Sequence, residues 1–442
     1  MGRLQKINFR LTRMSDRFFQ LCLRSFDRNS SIYLSSVVMA TQIFKLMLIV
    51  VFHSLIPTHA ASGVKRLPYT PTTSWHGAVV SPFISWDAAH FISIAVNGFS
   101  EQQSYAFFPL FPLVLRGLSY LLALVSPFVL NDVERVVVAG VMFNNLCLTL
   151  SCIVLNELFK FHSIPAIKRH CAIVCFALNP ASIFFSVLYS ESLYAMLSWS
   201  GMYFLSVRES IPLSALFFFG ASFTRSNGMF NFAFVLVYSF CKSATVSPSL
   251  TSVLKSIALC GVFLATLLPY FLHNSVAHNE ICSIPLHDSY LCTSSSLLDD
   301  FIGIYSRIQK KYWHVTFLGS FRLNQVPNIA LAVPVISLTL QCLCGFVKLL
   351  RAHWINRSPK LMRDVELLPF YAVLVCNIMV AVFFAHIQVS TRIMFSSCPV
   401  LYLAMSDNML DIKSGYRMFT VVYIVAFNLL GIFLHPNFFP WT

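Results

Sequence analysis

Charge is what this sequence has least of. Only 11 % of its 442 residues are Asp, Glu, Lys or Arg, and 57 % are hydrophobic, whereas soluble domains average about a quarter charged. That shortage excludes an ordinary soluble enzyme. Long polar stretches are missing too: no loop exceeds about 55 residues, too short for a separate soluble domain. There is no Cys-x-x-Cys pair and no His/Cys grouping of metal-ligand spacing, so neither metal nor other cofactor is expected. The Gly-rich loop that cradles a nucleotide phosphate is absent, which argues against a nucleotide-sugar donor. No internal repeat divides the chain into the similar halves common in transporters. The first apolar run, 32–56, is too long for a signal-peptide core and lacks a small-residue cleavage site, so it reads as a retained anchor.

What is present is apolar sequence in runs near the roughly 20 residues that cross a bilayer. The fold expected is an all-α polytopic membrane protein with about eleven transmembrane helices. Its net charge of +14 follows the positive-inside rule and is no sign of nucleic-acid binding. Residues 1–30 form a basic extension, with Arg3, Lys6, Arg10, Arg13, Arg17, Arg24 and Arg28 against Asp16 and Asp27. They place the N-terminus in the cytosol. Residues 31–442 are then one membrane domain with lumenal loops at 57–105 and 273–327. The run 107–130 does not fit as a crossing, because it would put Lys160, Lys168 and Arg169 on the wrong side. With its Pro109, Pro112 and Arg116 it reads as a re-entrant or interfacial helix. The remaining crossings are expected at 136–158, 171–188, 193–207, 211–222, 230–241, 253–272, 329–350, 367–385, 393–405 and 419–434. Both Asn-x-Ser sequons, at Asn29 and Asn356, fall on the cytosolic side, where they are not glycosylated. Most cysteines sit in apolar runs as small hydrophobes. Cys282 and Cys292 share a polar loop and can pair if it faces an oxidising lumen, although spacing does not fix the connectivity.

With this orientation the polar residues gather on one face: Asp87, His90, Glu101, Glu191, Arg225, Gln388 and Arg392. Ionisable groups at membrane depth are functional hypotheses by default. Each also has a plainer role: Asp87 as a helix N-cap, His90 as a structural histidine, Glu191 and Arg225 as a neutralising pair, Arg392 as a snorkelling cation. A carboxylate with one or two Arg on a lumenal cavity suits one reaction in particular. The carboxylate takes the proton from an attacking sugar hydroxyl, and Arg holds a departing phosphate through bidentate hydrogen bonds.

Trp86-Asp87-Ala88-Ala89-His90-Phe91, followed by Ala106-Phe107-Phe108-Pro109 and Phe111-Pro112, resembles the first lumenal loop of the PIG-V family, GPI mannosyltransferase 2. Asn179-Pro180-Ala181 with Tyr189-Ser190-Glu191-Ser192-Leu193 is similar to its second signature. So are Arg225-Ser226-Asn227-Gly228, Tyr312-Trp313, Gln325-Val326-Pro327-Asn328 and Gln388-Val389-Ser390-Thr391-Arg392. The resemblance implies a GT-C-type membrane enzyme of the endoplasmic reticulum, with its active site in the lumen. Its substrates would be dolichyl-phosphate mannose as donor and a GPI precursor glycolipid as acceptor, which receives its second, α-1,6-linked mannose. By that likeness Asp87 is the base, with His90 or Glu101 assisting, and Trp86, Glu191, Arg225, Asn227, Gln388 and Arg392 bind substrate. Another lipid-linked sugar transferase, or a lipid or solute transporter, is the alternative.

Overall fold

The computed structural model describes residues 30–59, 75–125, 130–243, 249–283, 289–292, 297–356, 365–412 and 415–439. All of the basic extension but Ser30 lies outside them. Among the described residues the chain is helical, without strands. Helix α1 (Ser30–Leu55) is followed by α2 (Trp75–Val80) and α3 (Asp87–Asn97), and the stretch Trp75–Phe83 meets α3 at 113°. Next come α4 (Leu110–Val125) and α5 (Asp132–Phe161). The shorter α6 (Ala166–Ala177), α7 (Ser182–Ser186), α8 (Glu191–Ser206), α9 (Ile211–Thr224) and α10 (Phe232–Ser243) follow. Then α11 (Leu250–Cys282) leads to α12 (Leu297–Trp313) and α13 (Val326–Ile355). The chain finishes with α14 (Leu368–Phe383), α15 (Ser390–Ser397), α16 (Val400–Leu410) and α17 (Gly415–Leu434).

Five helices, α1, α5, α11, α13 and α17, are long and apolar enough to cross a membrane, or six if the bent α2–α3 pair is one span. The protein is therefore a multi-pass membrane protein. The expected count of about eleven is not reached on this measure, because several expected runs form short or broken helices. α4, α8 and α14 have 16 residues each, about 24 Å against a hydrocarbon core of about 30 Å. The run 171–188 breaks at Asn179-Pro180 into α6 and α7. These pieces sit inside protein: α7 is buried throughout, and α8 buries Tyr194, Trp199 and Met202 completely.

A broken backbone at this depth needs partners for its carbonyls, and side chains supply them. Asn144 of α5 donates to Val187 O (2.5 Å) and Tyr189 O (2.8 Å), and Asn145 to Ser186 O (3.2 Å). From α17, Asn428 donates to Leu178 O (2.8 Å) and accepts from Ser182 Oγ (2.5 Å). Lys45 of α1 reaches Ser182 O (3.4 Å) and Ser186 Oγ (3.3 Å).

Both expected lumenal loops contain helix. In the first, α3 buries every residue from Ala88 to Ala95. Arg116 of α4 caps its end, donating to Ala95 O (2.7 Å) and Ile94 O (3.1 Å), and Gly98 at φ +78° ends the helix. The second expected loop begins one full helical stretch late, since α11 runs on to Cys282. It then carries the amphipathic α12, whose Ile304 and Ile308 pack on Ala277 and Ile281. Cys282 and Cys292 form a disulfide.

Close helix approaches rest on glycine. A Cβ on Gly228, in the 3-10 turn Ser226–Asn231, would lie 2.5 Å from Ala221 O and from Ser222 Cα. Backbone cannot swing aside as a side chain can. Gly228→Ala is expected to destabilise the protein by about 1–3 kcal/mol. Gly261→Ala in α11 meets nothing within 4 Å and should be neutral or stabilising by about 0.5–1 kcal/mol. Thermal-aggregation curves of the two detergent-solubilised variants check this; equal curves would refute the packing argument.

Candidate active site

Asp87 is the first residue of α3 and Trp86 is its cap, at φ 60°, ψ −128° with no side-chain cap bond. Asp87 is thus not the N-cap that its sequence position allows. Its backbone N–H donates to Tyr189 Oη (3.2 Å), and its Oδ2 accepts from Arg392 Nη1 (3.0 Å). Arg392 Nε donates to Glu191 Oε1 (2.6 Å), and Arg225 Nη1 reaches the same oxygen at 2.7 Å. The four side chains form one alternating line: Asp87, Arg392, Glu191, Arg225.

Burial grades along that line. Glu191 is wholly enclosed, Arg392 and Arg225 are 11 % and 15 % exposed, and Asp87 is 30 % exposed. A carboxylate removed from water costs several kcal/mol unless cations and hydrogen bonds repay it, and Glu191 has two guanidinium groups. Its place as the first residue of α8 adds the favourable end of the helix dipole. Arg392 does not snorkel. Its guanidinium lies 4.6 Å from the Phe184 ring centroid and 4.7 Å from that of Tyr189, a cation–π sandwich. Arg225 also donates to Ser190 Oγ and Asn227 Oδ1, each at 3.2 Å, and Asn227 donates to Ser397 Oγ (3.0 Å).

This line forms one wall of a cavity of ≈ 1680 Å³, larger than the roughly 300–1,000 Å³ of ordinary small-molecule sites. Trp86, Asp87, His90, Arg225, Asn227, Gln388 and Arg392 all face it, so most of the sequence candidates converge here. His90 is buried, stacked on Phe107 at 4.7 Å. Glu191 stands behind the wall as the partner of both arginines. Glu101 does not join them. It caps the 3-10 turn Gln102–Ala106 on extended backbone, stays exposed and is not itself a lining residue, although Gln103, whose Nε2 donates to it (2.6 Å), is one.

The roof is α12. Tyr305 donates its N–H to Asn274 Oδ1 (3.0 Å) and its hydroxyl to Ser226 Oγ (2.9 Å), beside Arg225. Arg307 Nε donates to Leu291 O (2.8 Å). Three contributors were not among the expected site residues, although Tyr189 belongs to the second signature. Tyr189 supports Asp87 from below, His435 lies with Nε2 3.2 Å from the Tyr189 hydroxyl, and Asn144 fixes the turn before Glu191. Asn144 and Asn145 carried a usable signal, two amides side by side in an apolar span. His435 had none beyond its position at the end of the last run.

A multi-helix membrane body holding a buried acid–Arg line against a large internal cavity is the class this site defines, a membrane enzyme acting on a polar group. The model of the mannosyltransferase (PIG-V) family matches residues 33–442, and the chain belongs to that family; it is a glycosyltransferase. GPI alpha-1,6-mannosyltransferase 2 of Rattus norvegicus is 29 % identical, over 91 % of this chain and 96 % of that protein. The Homo sapiens protein of the same name is 28 % identical with the same coverage. GPI mannosyltransferase 2 of Drosophila melanogaster is 26 % identical over 92 % and 99 %. Among solved structures, the Archaeoglobus fulgidus oligosaccharyltransferase is 9 % identical with a TM-score of 0.45, covering 93 % of this chain and 55 % of that chain. The chain thus spans little over half the length of that structure.

Glu191→Gln strips both arginines of their shared partner. It is expected to cost about 3–5 kcal/mol of stability, read as a lower aggregation temperature of the solubilised protein. Arg392→Lys keeps the charge, but an ammonium lacks the planar fork that joins Asp87 to Glu191. It should lose transferase activity with a smaller loss of stability. Equal losses of stability in the two variants would show that the line is not organised around Glu191.

Proposed function

We propose that the protein transfers mannose from dolichyl-phosphate mannose to a GPI precursor glycolipid, forming the α-1,6-linked second mannose, on the lumenal side of the endoplasmic reticulum membrane. The observation that carries this reading is the Asp87–Arg392–Glu191–Arg225 line on the cavity wall. Asp87 is its most exposed member, so its carboxylate takes the proton of the acceptor hydroxyl. The acceptor oxygen bonds to the mannose anomeric carbon as the bond from that carbon to the phosphate oxygen breaks. The electron pair leaves with dolichyl phosphate, and attack from the opposite face turns a β-linked donor into an α-linked product. Arg392 and Arg225 offer the departing phosphate charge at the moment it develops.

Names of the relatives support a GPI acceptor, mannose as the transferred sugar and the α-1,6 linkage; the dolichyl-phosphate donor rests on the family resemblance, and the Cys282–Cys292 disulfide supports an oxidising lumen for that loop. The GT-C reading rests on the family likeness. Short helices such as the largely buried α8 and the partly exposed α9 would complete the crossings that length alone does not count. His90, on the same face as Asp87 one turn on, is positioned to touch the acceptor rather than to replace the base. Trp86, Asn227 and Gln388 would contact the substrates.

Complementation tests it. In cells lacking the second GPI mannosyltransferase, the wild-type chain should restore GPI-anchored protein at the surface, and Asp87→Asn and Asp87→Ala at equal abundance should not. In microsomes given dolichyl-phosphate mannose, either variant should lose about 10²–10⁴-fold in rate, the usual worth of a positioned base. Rescue by Asp87→Ala would remove the base assignment. A well-expressed wild type that fails to rescue would instead indicate another lipid-linked sugar acceptor.

A further inference from the structure

His435 opens the 3-10 turn His435–Asn437 that follows α17. It is 1 % exposed, yet it lines the large cavity. Its Nε2 lies 3.2 Å from the Tyr189 hydroxyl. That hydroxyl already accepts from the Asp87 N–H (3.2 Å). Among the described residues, His435 Nε2 is the acceptor within reach of its own proton. A buried hydroxyl that fails to donate is costly, so Tyr189 gives its hydrogen to Nε2. A neutral imidazole whose Nε2 accepts carries its hydrogen on Nδ1. The chain of hydrogen bonds thus runs one way, from Asp87 N–H through Tyr189 to His435, and ends in an N–H. Nδ1 has no hydrogen-bond partner among the described residues.

The plain account is a histidine that braces Tyr189. That account uses Nε2 and leaves a buried Nδ1–H unsatisfied on a residue of the cavity wall, where a ligand oxygen would satisfy it. A second donor is in the same situation. Trp86 also lines the cavity, and its buried Nε1 has no partner among the described residues. Its backbone stands at φ 60°, ψ −128°, a conformation a tryptophan holds only where its surroundings impose it. The two segments are tied together: Ser85 Oγ donates to Pro436 O (3.2 Å), and the Trp86 and Phe438 rings lie 6.2 Å apart.

The neighbours of His435 indicate what it meets. Its ring packs edge-on to Phe184 (5.5 Å) and Tyr189 (5.4 Å), the two rings that sandwich Arg392. A phosphate there has the arginines. A neutral N–H beside them suits the next group along the donor, a sugar hydroxyl. We propose that His435 Nδ1–H donates to a hydroxyl oxygen of the donor's mannosyl group and is a specificity-determining residue for that sugar. This rests on the reading above that the donor is dolichyl-phosphate mannose.

The test measures binding of dolichyl-phosphate mannose to the full chain in phosphatidylcholine nanodiscs, without acceptor. His435→Gln keeps an acceptor toward Tyr189 and loses the Nδ1 donor; His435→Asn puts an amide N–H where Nδ1 stood and loses the reach to Tyr189. The Gln variant should weaken binding about tenfold, near the upper worth of one neutral hydrogen bond, and Asn should restore most of it. A bracing role alone gives the opposite order and overturns the proposal. Singly deoxygenated donor analogues locate the contact. One of them should bind wild type about tenfold more weakly than the parent donor and bind the Gln variant no more weakly than the parent does. Equal losses in both proteins for every analogue overturn the hydroxyl contact. So does a Gln variant that binds dolichyl phosphate, which has no sugar, as much more weakly as it binds the donor. Should Gln fail to fold, Asn carries the test: keeping the wild-type pattern across the analogues supports the contact, and losing it overturns it. A wild type that shows this pattern but transfers no mannose to GPI precursor keeps the contact and discards the proposed acceptor. A wild type that does not bind the donor discards both.

Discussion

The fold turns on a single carboxylate that water never reaches. Glu191 has no solvent exposure, and an unpaired carboxylate there would be untenable. Two guanidinium groups have to converge on it, and they come from chain segments far apart. Arg225 ends α9 and Arg392 lies in the first turn of α15. Neither would arrive if those stretches were continuous spanning helices. The interruptions at Arg225–Gly228 and His386–Val389 are thus the geometric condition for neutralising Glu191. Arg392 then has a face left over, and Asp87 occupies it at the edge of the cavity. Asp87, the carboxylate proposed as the base, is in this sense the outermost member of a structural ion network.

Interrupting helices at membrane depth exposes carbonyl groups, and the protein answers with side-chain amides. Asn144, Asn145 and Asn428 reach across from the long α5 and α17 to the 178–189 stretch. That stretch ends at Tyr189 and leads directly into Ser190 and Glu191, so the long helices position the site through side-chain hydrogen bonds to its backbone. The spanning helices are the frame, and the short ones carry the candidate site.

The sequence showed the chemistry more clearly than the architecture. Asp87, Glu191, Arg225 and Arg392 are conspicuous because charge is so rare here, and one orientation put them all on one side. Their mutual contacts were not legible, since Glu191 meeting both arginines through one oxygen depends on packing between segments 201 residues apart. Glu101 looked equivalent to Asp87 by residue type, and only the exposed turn it occupies separates them. Helix ends were the weakest part. Hydropathy alone does not distinguish a span facing lipid from a short helix enclosed by protein, as in α8, nor does polarity reveal that 75–97 folds as helix rather than loop. Tyr189 and His435 were hidden because their roles arise from contact with Asp87's backbone and with each other.

The Asp87–Arg392 contact has a consequence in time. Its two residues are 305 positions apart, and at a synthesis rate of roughly 5–20 residues per second the ribosome needs between about 15 and 60 s to pass from one to the other. From the synthesis of Glu191 onward both acids are in the chain while the cation that joins them has not yet been made. The nascent protein therefore lacks the link between Asp87 and Glu191 until roughly its last eighth arrives, and a truncated chain ending before α15 cannot complete the line.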